Sequence, residues 1–158
     1  MVLDRFELSI SYHQFAISDA RNDRPFNSWS PQHIVQGFSW RPESACFQTP
    51  FEDGTYNFEV FIVSGRPALD YRSTRAIVVP FPERKTDQLE ISAIGSSHVL
   101  AMPRNCNSIL AEFIEDGAGS LPLIKLQFYN TESVVFRIEK ADSDEMGNAP
   151  ILSTAVPA

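Results

Sequence analysis

FELSISYHQFAI, residues 6–17, alternates apolar and polar side chains and then changes step partway along. Phe6, Leu8, Ile10 and Tyr12 fall on one side, with Glu7, Ser9, Ser11 and His13 on the other. A period of two is that of a strand with one face buried and one wet. After His13 the apolar side passes to Phe15 and Ile17. Such a slip sends later side chains to the opposite face, so the run predicts either a β-bulge or a strand that crosses from one sheet to another.

Outward from this run the signals are nearly all of the same kind. Residues 55–64 alternate through Tyr56, Phe58, Val60 and Ile62, and the other face carries Phe61 and Val63, which predicts a central strand. Shorter runs at 44–48, 75–81, 88–94, 98–102, 107–115, 124–129 and 134–140 are separated by turn clusters such as Glu52-Asp53-Gly54 and Gly65-Arg66-Pro67. One helix is expected, at residues 30–37. Ser30 can cap its first amides, Pro31 fits its first position and Gly37 can end it in the left-handed conformation. The pattern predicts an all-β, single-domain β-sandwich of about seven or eight mostly antiparallel strands with one short helix. It occupies residues 1–141, with residues 142–158 as a C-terminal tail packed on the sheet or mobile.

Composition narrows the function. A chain of 158 residues with 43% hydrophobic residues and twelve Phe can bury a core without a metal or disulfide. Twenty acids against thirteen bases give a net charge of −7. Phosphate would be repelled on average, so no direct nucleic-acid partner is expected, whereas basic proteins or cations suit such a surface. The N-terminal residues carry Asp4 and Glu7 where a secretory signal wants positive charge. No stretch approaches the roughly eighteen apolar residues of a membrane span. The expected location is cytoplasmic.

No catalytic constellation stands out. His13, His33 and His98 lack the spacing of a metal site, and no cofactor motif occurs. Cys46 lies in an apolar strand and Cys106 between two asparagines, neither in an electropositive setting that would activate a thiol. Trp29, Trp40, Tyr56 and Tyr71 could form a platform for carbohydrate, but the two tryptophans flank the helix and read more simply as lids on the core. The acids gather loosely in loops: Asp19 and Asp23; Glu43; Glu52 and Asp53; Glu112, Glu115 and Asp116; Asp142, Asp144 and Glu145. Such loops at one end of a sandwich are the alternative reading, a small-ligand site for Ca²⁺ with lipid, or for carbohydrate.

Residues 7–15, ELSISYHQF, resemble the opening signature of the ComJ family, the competence-associated nuclease inhibitors also called Nin. The Trp29-Ser30, Ile34 and Gly37-Phe38 spacing with Ala45 and Phe47 is similar to that family's next segment. So are Val79-Pro80-Phe81, and Leu89-Glu90-Ile91-Ser92 with Ile94 and Ser96. The match runs in order over residues 6–96 and fades towards Ile114; the portion from 116 to 158 is longer than the family pattern. The resemblance implies a small acidic β protein that binds a DNA-degrading nuclease and blocks it. A nuclease cleft is basic because it holds phosphates, and carboxylates can stand where phosphates would lie. The candidate contacts are therefore Asp19, Asp23, Glu43, Glu52, Asp53, Glu115 and Asp116, with His13 and Gln14 as neutral hydrogen-bonding neighbours.

Overall fold

The computed structural model describes residues 2–115, 117 and 119–158. The stepped run is two strands. β1 (Val2–Ile10) ends where the alternation breaks, Tyr12 and His13 both take positive φ (56° and 55°), and β2 (Gln14–Asp19) leaves in a different sheet. Of the two readings, the crossing between sheets is the one found. Left-handed backbone at two successive non-glycine residues costs energy and persists only where the surroundings hold it. Here the Asp53 carboxylate accepts both amides, from Tyr12 at 3.0 Å and from His13 at 2.9 Å. Tyr12, counted with the buried face in the sequence, is turned outward and 73% exposed, while Leu8 and Ile10 are buried.

The chain continues through α1 (Pro31–Gln36), β3 (Phe38–Arg41), β4 (Ser44–Gln48), β5 (Gly54–Ile62), β6 (Ser73–Pro80), β7 (Gln88–Ala93) and β8 (Ser96–Ala101). It closes with β9 (Ser108–Ile114), β10 (Leu123–Tyr129), β11 (Arg137–Lys140) and α2 (Asp144–Asn148). Two sheets result, in the orders β1-β5-β10-β9-β6-β11 and β3-β4-β2-β7-β8. Only the β5–β10 pairing is parallel among the described strands. The all-β, mostly antiparallel reading holds, and β5 is interior to its sheet as expected.

The described residues form eleven strands, more than the seven or eight counted from sequence. Two of the additional strands arise because the first run divides in two and because β3, only four residues long directly behind the helix-ending Gly37, is too short for a period to declare itself. The second helix was not foreseen, because its DEMGN sequence contains a glycine and an asparagine that disfavour helix interiors.

Side chains from the two sheets meet in one core. Phe15 of β2 stands edge-on to Phe58 of β5 with centroids 5.2 Å apart, and Phe47 of β4 reaches Phe113 of β9 at 6.5 Å. Each fully buried Phe contributes on the order of 2–3 kcal/mol by leaving water. The helix is capped as read: Ser30 Oγ accepts the His33 amide, and Gly37 closes the last turn at φ 84°. The Ser30 amide in turn donates to His33 Nδ1, so the imidazole proton sits on Nε2 and is donated to the Thr154 carbonyl at 2.8 Å.

Residues 142–158 are held at several points. The Asp142 carboxylate accepts from Nε and Nη2 of Arg75 (2.9 and 3.1 Å), Met146 enters the core, and Gln36 exchanges two 2.8 Å bonds with the Leu152 backbone. Near the end, the Ser28 amide donates to Val156 and the Ala158 amide to Phe26.

On the outer face of the six-stranded sheet, Glu112 is fully buried. It was grouped with the loop acids, but it sits mid-strand in β9. Its Oε2 accepts the Asp70 amide (2.7 Å) and the Ser73 hydroxyl (2.6 Å), and its Oε1 accepts the Gln127 amide (2.7 Å). These bonds fasten the connection between β5 and β6 against the sheet.

Candidate functional site

β2 serves as a ruler for the candidate residues. Gln14 begins it and Asp19 ends it, five residue steps or about 17 Å apart. Its antiparallel neighbour β4 runs from Ser44 beside Ser18 to Gln48 beside Gln14. Asp19, Asp23 and Glu43 therefore gather at one end of the sandwich. His13, Gln14, Glu52 and Asp53 gather at the other, where β9 also ends and delivers Glu115. Asp116 lies outside the described residues.

The Asp19 end is of mixed charge. Asp23 and Glu43 line a groove of about 410 Å³ together with Arg21, Arg41, Glu83 and Lys85. Glu43 is bound to Arg41 Nη1 at 3.0 Å. Asp19 is only 5% exposed, and its carboxylate accepts the amides of Arg21 (2.8 Å), Lys85 (2.7 Å) and Thr86 (2.7 Å). Burial alone would raise its pKa, but those hydrogen bonds outweigh burial and hold it below the ordinary value.

A depressed folded-state pKa adds stability that is complete above the unfolded value of about 3.9 and is lost as pH falls below it. Asp19→Asn is accordingly expected to cost about 1–2 kcal/mol at neutral pH. The gap from wild type should stay level down to about pH 5 and then close as the solution is acidified through about pH 4. Urea unfolding at several pH values measures this, and a gap that widens in acid would refute the assignment.

The His13 end differs in kind. A recess of about 630 Å³ is lined by residues 50–56, Glu115, Gly117 and residues 119–122. Glu52, Asp53 and Glu115 are exposed, and no Lys or Arg occurs among these described lining residues. The turn beside it is built from both sides. Asp53 holds the two amides, the Thr49 amide donates to the His13 carbonyl (2.8 Å), and His13 Nδ1 donates to the Phe51 carbonyl (3.0 Å). That bond places a proton on Nδ1 of the half-exposed ring. Below the turn, the buried Tyr56 hydroxyl donates to the Glu52 carbonyl at 2.7 Å. Gln14 Oε1 is occupied by the Trp29 indole N–H at 3.0 Å.

The remaining chemical candidates lie apart. His33 serves the helix cap, and His98 stacks on Phe6 (3.8 Å between centroids) while meeting Asp4 at 2.7 Å. Burial pushes the Cys46 thiol up to about 11 and raises Cys106 also, so neither is poised as a thiolate. No group of three or more His, Cys, Asp or Glu among the described residues is arranged to hold a metal. Trp40 donates to the Pro80 carbonyl and packs edge-on to Phe136, and Trp29 is bound to Gln14, so the tryptophans form no open platform. No described helix is long and apolar enough to cross a membrane.

Sequence reasoning treated all the loop acids alike, and it placed Tyr12 inside. The slip of register at residues 13–14 was the available signal: a side chain at a corner between sheets is not committed to either face.

The model of the family described as Competence protein J (ComJ) matches residues 7–138. Among solved structures, the fold is similar to the crystal structure of ComJ, inhibitor of the DNA degrading activity of NucA, from Bacillus subtilis. The TM-score is 0.68 at 16% sequence identity, covering 83% of this chain and 98% of that one. Comparison with curated proteins finds no match.

Proposed function

Because this chain belongs to the ComJ family, we propose that it binds a DNA-degrading nuclease and blocks it by occupying the cleft, with no chemistry of its own. The Bacillus subtilis ComJ that shares the fold is an inhibitor of the DNA degrading activity of NucA. The observation that carries the reading is the sorting of the acids. Glu52, Asp53 and Glu115 surround a recess with no cation among its described lining residues, whereas the acids at the opposite end are interleaved with Arg and Lys.

A nuclease cleft attracts the polyanion it cleaves, and a rigid group of carboxylates answers the same field. Such complementarity raises the association rate, by orders of magnitude at low salt, and falls with ionic strength. The target would be met inside the producing cell, in the cytoplasm.

Titration of the protein into plasmid degradation by a nuclease from the same cell tests the proposal. Cleavage should fall to completion near one equivalent, and the apparent affinity should drop as salt is raised from 50 to 300 mM, roughly tenfold or more. Undiminished cleavage at molar excess would sink it.

A further inference from the structure

Building on the inhibitor reading, we propose that Tyr12 and Tyr71 are the anchors by which this protein grips the rim of the nuclease's basic cleft, with the carboxylates of Glu52, Asp53 and Glu115 between them. Among the exposed large apolar side chains of the described residues, these two are the only aromatic ones, at 73% and 91% exposure. Both lie at the same end of the six-stranded sheet. Tyr12 follows the last residue of β1, and Tyr71 precedes Ser73 at the start of β6.

The strand register ties the two positions together. Ile10 pairs with Gly54 at the start of β5, Leu123 at the start of β10 pairs with Ile114, and Ile114 pairs with Ser73. Four strand spacings separate β1 from β6, about 19 Å across the sheet. Because Leu123 pairs with Asn57, three residues beyond Gly54, Tyr12 also stands about 10 Å further along the strand direction, so the two tyrosines are about 21 Å apart. That separation fits within a standard interface of about 800 Å² per partner. Glu115 and the 50–56 segment occupy the interval, and Leu121, 39% exposed, adds apolar surface there.

Exposed tyrosines are not sites in themselves, but these are held in place. The Tyr12 backbone is fixed in its left-handed conformation by the Asp53 carboxylate. Tyr71 follows Asp70, whose amide is bound by the buried Glu112 and whose carboxylate engages Arg72 and Lys125. Anchors carried on backbone that is already fixed in the free protein lose less conformational entropy on binding than anchors on a mobile loop. Tyrosine is among the residues that most often dominate interface energy, and its ring accepts a guanidinium or ammonium on its face. An arginine- or lysine-lined groove offers such cations in number, so the occupant is the cationic wall of the cleft and not a neutral apolar surface.

The test compares four variants with the wild-type protein for inhibition of the same nuclease. Tyr12→Ala and Tyr71→Ala should each raise the half-inhibitory concentration by about 30-fold or more, as hot-spot truncations do. Tyr12→Phe and Tyr71→Phe together should stay within about threefold of wild type, since the ring is retained. The reversal Asp23→Lys with Glu43→Lys, at the opposite end, should also change little. Melting temperatures check that the variants are folded, which the exposure of both rings favours. Wild-type inhibition that survives both alanine replacements would overturn this inference and leave the inhibitor reading standing. Loss of inhibition in the opposite-end reversal alone would overturn it in the same way. A wild-type protein that does not inhibit would remove the inhibitor reading and this inference with it.

Discussion

The double charge reversal Glu52→Lys with Glu115→Lys is expected to weaken nuclease inhibition on the order of 10³-fold while leaving the melting temperature within a few degrees of wild type. Both side chains are exposed, and among the described residues neither side chain makes a hydrogen bond or ion pair. Asp53 is left untouched on purpose, because it holds the Tyr12–His13 turn and its loss would change shape as well as charge. Reversing a charge removes an attraction and adds a repulsion. Charge pairs close across an interface are coupled by roughly 1.5–7 kcal/mol, so about 2 kcal/mol for each of two reversals is a moderate figure. The association rate should suffer most, and the residual inhibition should depend less steeply on salt than that of wild type. Inhibition within threefold of wild type would place the contact elsewhere and remove the anionic recess from the account.

Glu112→Ala is expected to be the most damaging single change to stability, at about 3 kcal/mol. The residue is fully buried and accepts three hydrogen bonds. Removing it leaves the Gln127 amide, the Ser73 hydroxyl and the Asp70 amide without an acceptor, each worth about 1–3 kcal/mol when stranded in the interior. Water entering the vacated space offsets part of the sum. Glu112→Gln should be far milder, below about 1.5 kcal/mol. Its amide oxygen can serve Asp70 and Ser73, and Gln127 can rotate its own amide to present oxygen to the new nitrogen. Urea unfolding of the two variants separates these outcomes. Equal losses would mean that the carboxylate's charge matters more than the count of acceptors. Hydrogen exchange at residues 70–72 should accelerate in the alanine variant, because the connection before β6 loses its fastening.

Strand content was legible because the chain alternates cleanly wherever one face is buried: Leu8 and Ile10, then Tyr56, Phe58 and Val60, point inward as their spacing requires. The helix was legible from Ser30, Pro31 and Gly37, three residues whose backbone preferences are strong enough to act alone. What the sequence hid was the partnering of its acids. Asp19, Asp53 and Glu112 are chemically near-identical in a string of letters. One is consumed by amides brought 66 and 67 residues along the chain, one props up a strained turn, and one is sealed beneath a loop. Those differences depend on which amide groups the tertiary fold delivers, and no local period encodes them. The exposure of Tyr12 was hidden for a related reason: alternation predicts facing only while a strand continues, and β1 had already ended.

The place of β10 in its sheet bears on how the protein comes into being. β10 lies between β5 and β9, although it is made after both. Until residue 129 leaves the ribosome, the larger sheet has a vacant slot flanked by two long apolar strands with unpaired backbone groups. Open edges of that kind recruit other chains. Insertion of this one strand closes the slot by supplying both missing ladders together.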